Sequence, residues 1–186
     1  RIIHMAIVVK RKGYGQVEPN HLSAQYNGKI YAQLPAKVAG GATPIAQLEN
    51  GQFLKYNYAG QRASTDGDGE WMLVFNEVKL YDERRQNYKD FCMKASEMTD
   101  GTIYPRLLKT DVGDIFTTNT FGAAAAGPDE VQASGVTLAV GNYVTIGADG
   151  FLAKSNSKPE SGICFQVVQE YNLGDMQEAV KIQRIQ

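Results

Sequence analysis

The stretch VTLAVGNYVTIGADGFLAK, residues 136–154, decides the fold class of this chain of 186 residues. Short runs of β-branched and aromatic residues alternate in it with turns that contain Gly, Asn or Asp. The pattern continues to the end of the chain, where about five or six short strands fit after residue 135. This density of strands is typical of a small β-barrel or sandwich, which we predict for residues 135–186.

A six-residue frame of the same kind occurs earlier in the chain. Val112-Gly-Asp-Ile-Phe-Thr and Val140-Gly-Asn-Tyr-Val-Thr both lead into a strand pattern through a glycine. One such pair is too little to indicate a repeat protein. It does predict two strands that begin in the same way.

The rest of the chain is also predicted to be mostly β. Residues 1–44 contain a basic arm and a hairpin pattern, and residues 45–120 form a β-rich region with one short helix. Residues 121–134 begin with FGAAAAGP, which has no hydrophobic periodicity and is therefore predicted as a connecting loop. A C-terminal small β-barrel completes the expected organisation.

Two Asn-Gly pairs, Asn27-Gly28 and Asn50-Gly51, each separate two strand-like runs. A type I′ turn needs positive φ at both central positions, and Asn and Gly adopt that conformation most readily. We therefore predict a β-hairpin tip at each pair.

The predicted helix covers residues 82–95, DERRQNYKDFCMKA. Two acidic residues open it, which suits the positive end of a helix dipole. Its apolar residues recur at i, i+3, i+4 and i+7, as on one helix face. Residues 70–75, EWMLVF, are instead predicted as a central strand, and residues 78–81 as a continuation of that sheet.

The composition narrows the range of functions. The 19 Lys and Arg residues nearly balance the 20 Asp and Glu residues, and the formal net charge is -1. Proteins that bind nucleic acid or anionic membranes usually carry a basic excess, so neither partner is expected. No stretch approaches about 18 consecutive apolar residues, the length of a transmembrane helix. Residues 5–9 are too short a run for a secretory signal, and residues 1–4 are left out of the fold prediction.

The nucleophilic and titratable residues form no catalytic motif. Cys92 and Cys164 lack His or Cys neighbours at metal-ligand spacing, so buried, reduced thiols are expected. The two imidazoles are His4 and His21, and no Gly-x-Ser-x-Gly sequence surrounds a serine. We predict that the protein is not an enzyme, that it needs no cofactor, and that His21 lies on the surface.

The acidic stretch Asp66-Gly-Asp68-Gly-Glu70 leaves a cation site open as an alternative. Oxygen ligands at alternate positions suit Ca²⁺, but Trp71 stands where an EF-hand loop needs Gly. An acidic turn before a strand is the simpler interpretation, and no metal is predicted. Trp71 is expected in the core, although it also fits an aromatic platform for a sugar.

Several motifs occur in a characteristic order over residues 45–186: ENGQFL, GEWMLVF with VKLY, VGDIFTT, and LAVGNYVTI with ADGFL. With these motifs the chain resembles the decoration proteins of tailed-bacteriophage heads, also called cement or auxiliary capsid proteins. The resemblance implies a non-enzymatic virion protein, made in the host cytoplasm, that clamps neighbouring major capsid subunits on the outer surface of the capsid. It also implies self-association, often as a trimer, and an N-terminal arm that reaches a neighbouring subunit.

The arm is the candidate partner-binding segment. Gly13 and Gly15 follow it and are expected to loosen it from the body of the protein. On a capsid it would add as a strand to a neighbouring subunit, while its three cations meet acidic side chains. The segment consists of Ile7, Val8, Val9, Lys10, Arg11 and Lys12.

Two other function classes remain open. A head-fibre or tail component that binds carbohydrate or a host receptor could use the ten Tyr and one Trp as a stacking face. A hydrolase with paired carboxylates is disfavoured by the single credible histidine and by the lack of a nucleophile motif.

Overall fold

The computed structural model describes residues 6–76 and 92–186 and confirms that the chain is mostly β. In these residues, helical structure is limited to α1 (Ser23–Asn27) and a 3-10 turn at Ala95–Glu97, and no helix is long and apolar enough to cross a membrane. The strands are β1 (Ile7–Val9), β2 (Val17–His21), β3 (Ile30–Tyr31), β4 (Gln47–Glu49), β5 (Phe53–Asn57), β6 (Arg62–Ser64), β7 (Met72–Val74), β8 (Cys92–Lys94), β9 (Leu107–Leu108), β10 (Ile115–Thr118), β11 (Val136–Leu138), β12 (Tyr143–Ile146), β13 (Leu152–Ser155), β14 (Phe165–Asn172) and β15 (Glu178–Arg184).

Two antiparallel sheets contain most of these strands. The larger has the order β13-β12-β14-β15-β10-β2, and the smaller has the order β3-β9-β7-β5-β6. β1 pairs with β11, and β4 pairs with β8, in two separate ribbons.

The described residues form no closed barrel, which corrects the prediction of a small β-barrel over residues 135–186. The hairpin of β14 and β15 pairs on its outer side with β10, which precedes that region in the sequence. β10 in turn pairs with β2. The sheet therefore continues into earlier parts of the chain and stays open.

The smaller sheet is covered on both faces, and its strands alternate between two cores. Phe53 and Leu73 lie in the inter-sheet core, which this sheet shares with the larger one. Their neighbours Leu54 and Val74 lie in the ribbon core, which apolar residues of β4 and β8 help to enclose. Burial on both faces of the sheet explains why the sequence of its central strand, β7, is a continuous apolar run.

The segment that ends at Asn27 is a helix and not the first strand of a hairpin. Gly28 takes the left-handed C-cap conformation with φ 72°, and its N–H donates to the carbonyl oxygen of Ala24 at 3.1 Å. At the other end of α1, the carboxylate of Asp114 accepts a hydrogen bond from the N–H of Ser23 at 3.0 Å. The predicted hairpin is wrong here, because an Asn-Gly pair suits a helix C-terminus as well as a type I′ turn.

The turn predicted at Asn50-Gly51 is confirmed, with φ 89° at Gly51, but it does not close a hairpin. The strand before it, β4, pairs with β8, and the strand after it, β5, pairs with β6 and β7. The turn therefore passes the chain from the ribbon to the smaller sheet.

The helix predicted over residues 82–95 is wrong in its last turn. Residues 92–94 form β8, because Cys92 and Met93 bury their side chains when they pair with β4. Residues 82–91, together with the strand predicted at residues 78–81, lie outside the described residues.

Candidate protein-interaction surface

The N-terminal segment is a strand of this chain's own fold. β1 runs antiparallel to β11, so that Val8 lies opposite Thr137 and Val9 opposite Val136. Val9 is fully buried in the inter-sheet core. The prediction of a loosely attached arm is therefore wrong, because its apolar residues already have a partner strand within the chain.

The segment alternates between the interior and the surface. The odd-numbered residues 7 to 11 point inward, whereas Val8, Lys10 and Lys12 are exposed. This period of two is the ordinary consequence of extended backbone. Half of the predicted partner-binding residues are therefore available to a partner, and the other half hold the segment in place.

Arg11 is the most unusual of the inward residues, because it is a fully buried cation. Its Nη2 lies 3.1 Å from Oε2 of Glu49, which is also buried. The guanidinium also donates to the carbonyl oxygens of Phe121 at 2.9 Å and Ala123 at 2.6 Å. Burial of a charge is costly unless the charge is paired and hydrogen-bonded, and this arrangement meets both conditions.

Glu49 also accepts hydrogen bonds from two other segments of the chain. Its Oε2 accepts a hydrogen bond from the N–H of Gly15 at 2.7 Å, and its Oε1 accepts one from the N–H of Ala125 at 2.7 Å. The pair of Arg11 and Glu49 thus connects the N-terminal segment, β4 and the alanine-rich loop, and it fixes all three against one another.

The outward face of the segment continues into two neighbouring loops. Val8 packs over Gly135, and Lys12 forms a backbone bridge with Val131. The N–H of Lys12 donates to Oε1 of Gln177 at 2.6 Å, which brings the β14–β15 turn alongside. We use the name arm surface for five exposed side chains of this region: Val8, Lys10, Lys12, Val131 and Met176.

The arm surface combines exposed apolar and charged side chains. Val8 is 47% exposed, Val131 56% and Met176 75%. Lys12 lies 3.8 Å from Asp129, and both side chains are largely exposed, so this ion pair adds little stability and leaves both charges available. Apolar residues exposed beside charged ones are typical of surfaces that bind other proteins.

A groove of about 420 Å³ adjoins the arm surface. It is lined by two limbs of the connecting loop, residues 122–126 and residues 130–134, and by Val136. The first limb is held through Ala123 and Ala125 by the buried pair of Arg11 and Glu49. The groove therefore has at least one fixed wall.

The acidic stretch does not gather its carboxylates into one site. Asp66 accepts hydrogen bonds from Arg62, Ser64 and the backbone of Gly40, which hold the pKa of its carboxyl well below the usual range. Glu70 pairs instead with other cations, Lys109 at 3.0 Å and Arg184 at 2.6 Å. In the described part of the chain, no group of three His, Cys, Asp or Glu residues could hold a metal ion.

The cysteines and the histidine have the surroundings that were predicted. Cys92 and Cys164 are buried, free thiols. Burial, with a smaller contribution from the charge of Glu49, raises the pKa of Cys92 to about 12, so its thiol is unreactive at neutral pH. His21 is exposed at the end of β2 and stacks on Tyr26, with ring centroids 5.8 Å apart.

Trp71 is half-buried against the inter-sheet core. Nζ of Lys55 lies 4.6 Å from the centroid of its ring, in a cation–π contact. A sugar that stacked on this face would have to displace the lysine.

The sequence identified Val8, Lys10 and Lys12 but not the other members of the arm surface. Val131 is a β-branched residue between the polar residues Glu130 and Gln132, and this is the signal that could have marked it. Met176 has no comparable signal, because its exposure depends on a turn in which it adopts φ 68°.

Comparison of the chain with models of protein families, with curated proteins and with solved structures gave no match.

Proposed function

We propose that this protein is a non-enzymatic virion protein that decorates and stabilises a tailed-bacteriophage capsid. The observation that carries the proposal is the arm surface, which presents Val8, Val131 and Met176 to solvent on a base fixed by a buried ion pair. A decoration protein requires an outward protein-binding face of this kind, and the motifs that resemble the decoration family supply the context.

A fixed backbone beneath the arm surface favours high affinity. Side chains that are already ordered before binding lose less conformational entropy when a partner covers them. Val8 lies on a paired strand, and Val131 forms a backbone bridge with Lys12. The arm surface therefore binds as a preformed face, and not as a disordered arm that folds on its partner.

The proposed partner is the major capsid protein, and neighbouring copies of this chain are a second one. Lys10 and Lys12 would meet acidic side chains of the partner, where they favour the correct orientation and make binding sensitive to salt. A trimer around a local three-fold axis of the capsid is the assembly that we propose.

The proposal is tested with undecorated capsids of the phage that encodes the chain. We expect the unmodified protein to bind them, and Val131→Asp or Met176→Asp to weaken binding by about tenfold or more, because each replaces an apolar side chain of the contact with a charge that the partner would cover. Aspartate tolerates the positive φ of residue 176 better than most residues do, so the second variant is expected to fold.

Val112→Asp is the matched control. Val112 is 68% exposed, like the residues of the arm surface. It also lies away from the arm surface. Val112 is close to Ile115, which pairs with Gln183 near the end of β15, whereas the arm surface adjoins the start of β15 near Glu178. Full binding of the control with loss of binding by the other variants supports the proposal.

Failure of the unmodified protein to bind capsids would contradict it. Adsorption of the protein to host cells or to a glycan array, in place of capsid binding, would favour the head-fibre or tail alternative.

A further inference from the structure

We infer that Asn27-Gly28 is a site of spontaneous deamidation and that the identical dipeptide Asn50-Gly51 is protected. The inference does not depend on the proposed function. In an Asn-Gly dipeptide the glycine has no Cβ to shield its backbone nitrogen from the preceding carboxamide. Because the two dipeptides share this intrinsic chemistry, a difference between them must come from the fold.

The reaction needs no co-reactant except water. The backbone nitrogen of Gly28 loses its proton and bonds to Cγ of Asn27, and the side-chain nitrogen of Asn27 leaves as ammonia. The product is a cyclic succinimide. One water molecule then opens the ring at either carbonyl, which leaves aspartate or isoaspartate at position 27.

The surroundings of Asn27 favour the attack. Asn27 and Gly28 are both exposed, and nothing lies within 4 Å of the position of a Cβ on Gly28. The N–H of Lys29 donates to Oδ1 of Asn27 at 3.2 Å. Negative charge develops on this oxygen as the nitrogen attacks Cγ, and a donor already in place stabilises it.

The structural barrier at this site is small. The N–H of Gly28 donates to the carbonyl oxygen of Ala24, and this hydrogen bond must open before the nitrogen can react. The helix that contains it has five residues, of which Ala24 is the buried one. So short a helix has little stability of its own, and its last turn opens at low cost.

The same atoms are restrained at the second site. Asn50 is 5% exposed, its Oδ1 accepts the N–H of Asn76 at 2.8 Å, and its Nδ2 donates to the carbonyl oxygen of Asn76 at 3.3 Å. The N–H of Gly51 donates to the carbonyl oxygen of Val74 at 2.9 Å. Reaction at Asn50 therefore requires part of the smaller sheet to open.

The test is incubation of the folded protein at mildly alkaline pH, followed by peptide mapping with mass spectrometry and detection of isoaspartate. We expect deamidation of Asn27 to be faster than that of Asn50 by roughly tenfold or more, because the second site reacts only from a locally unfolded state. In denaturant the two rates should become similar. Asn27→Asp provides the mass standard, and Asn27→Ser should remove most of the signal.

Similar rates at the two sites of the folded protein, or a faster rate at Asn50, would overturn the inference. So would an Asn27 that reacts only in denaturant, since the helix would then protect it.

Discussion

Arg11 shows how a single residue can differ from the pattern around it. In the sequence it is one of three consecutive cations, but its neighbours Lys10 and Lys12 are exposed, whereas Arg11 is fully buried beside Glu49. The run therefore supplies two charges at the surface and one buried ion pair. Arginine suits the internal role because its planar guanidinium donates several hydrogen bonds at once.

We predict that Arg11→Met destabilises the fold by about 3–5 kcal/mol, because it leaves Glu49 as an unpaired buried charge. The double variant Arg11→Met/Glu49→Leu should recover a large part of this loss, since it removes both charges of the buried pair. Chemical denaturation monitored by circular dichroism measures both changes. A double variant as unstable as the single one would show that the ion pair itself supplies the stability.

The two glycines of the Asn-Gly pairs should differ in their response to substitution. Gly28→Ala introduces only the strain of a positive φ, about 1 kcal/mol, because the space around it is open. Gly51→Ala adds a steric clash, since its Cβ would overlap the side chain of Thr120, and we expect a loss of about 3 kcal/mol. Equal melting temperatures of the two variants would contradict this order.

The thiol of Cys92 should not react with iodoacetamide in the folded protein. Its pKa, raised to about 12 by burial, leaves almost no thiolate at pH values near neutrality. We expect labelling at mildly alkaline pH to be limited by unfolding and to become complete in denaturant. Rapid labelling of Cys92 in the native protein would show that the ribbon of β4 and β8 opens readily.

Among the elements, the positions of the strands could be predicted more reliably than the pairing between them. The repeated frame is an example, because Gly113 and Gly141 both adopt positive φ before a strand, as the shared pattern indicates. The structure adds that the N–H of Gly113 donates to Arg184 and that of Gly141 to Val167, each at 2.8 Å. The two copies thus pair with the two arms of one hairpin, β15 and β14, and no local pattern specifies that pairing.

Local patterns also failed where one signal serves two structures. Asn27-Gly28 ends a helix, although the residues before it resemble a strand. The sequence favours an external partner for β1 because its own partner, β11, is distant in sequence. Pairing between distant segments is decided by the whole core, and a single sequence does not display it.

Deletion of residues 1–12 should destabilise the fold severely. It removes Val9 from the inter-sheet core and leaves Glu49 buried without Arg11. We expect the truncated protein to melt at a much lower temperature or to fail to fold, whereas Val8→Asp, which alters an exposed position, should melt close to the parent. A truncated protein with an unchanged melting temperature would restore the prediction of a dispensable arm.

For the molecule as a whole, the candidate surface is a product of the tertiary fold. Its members come from the N-terminal segment, from the connecting loop and from the turn at Met176, which the sequence does not place together. Lys10 and Lys12 could be predicted as exposed, and Met176 could not, because burial is the usual expectation for an apolar side chain. The buried pair of Arg11 and Glu49 was likewise beyond prediction, since neither residue has a local signal for the other.

The most direct test of the account is an electron cryo-microscopy map of undecorated capsids after incubation with this protein. We expect density for the chain on the outer surface of the capsid, with Val8, Val131 and Met176 facing a major capsid subunit or a neighbouring copy. The surface around Val112 should face solvent. A capsid map without added density, or one in which the arm surface points to solvent, would contradict it.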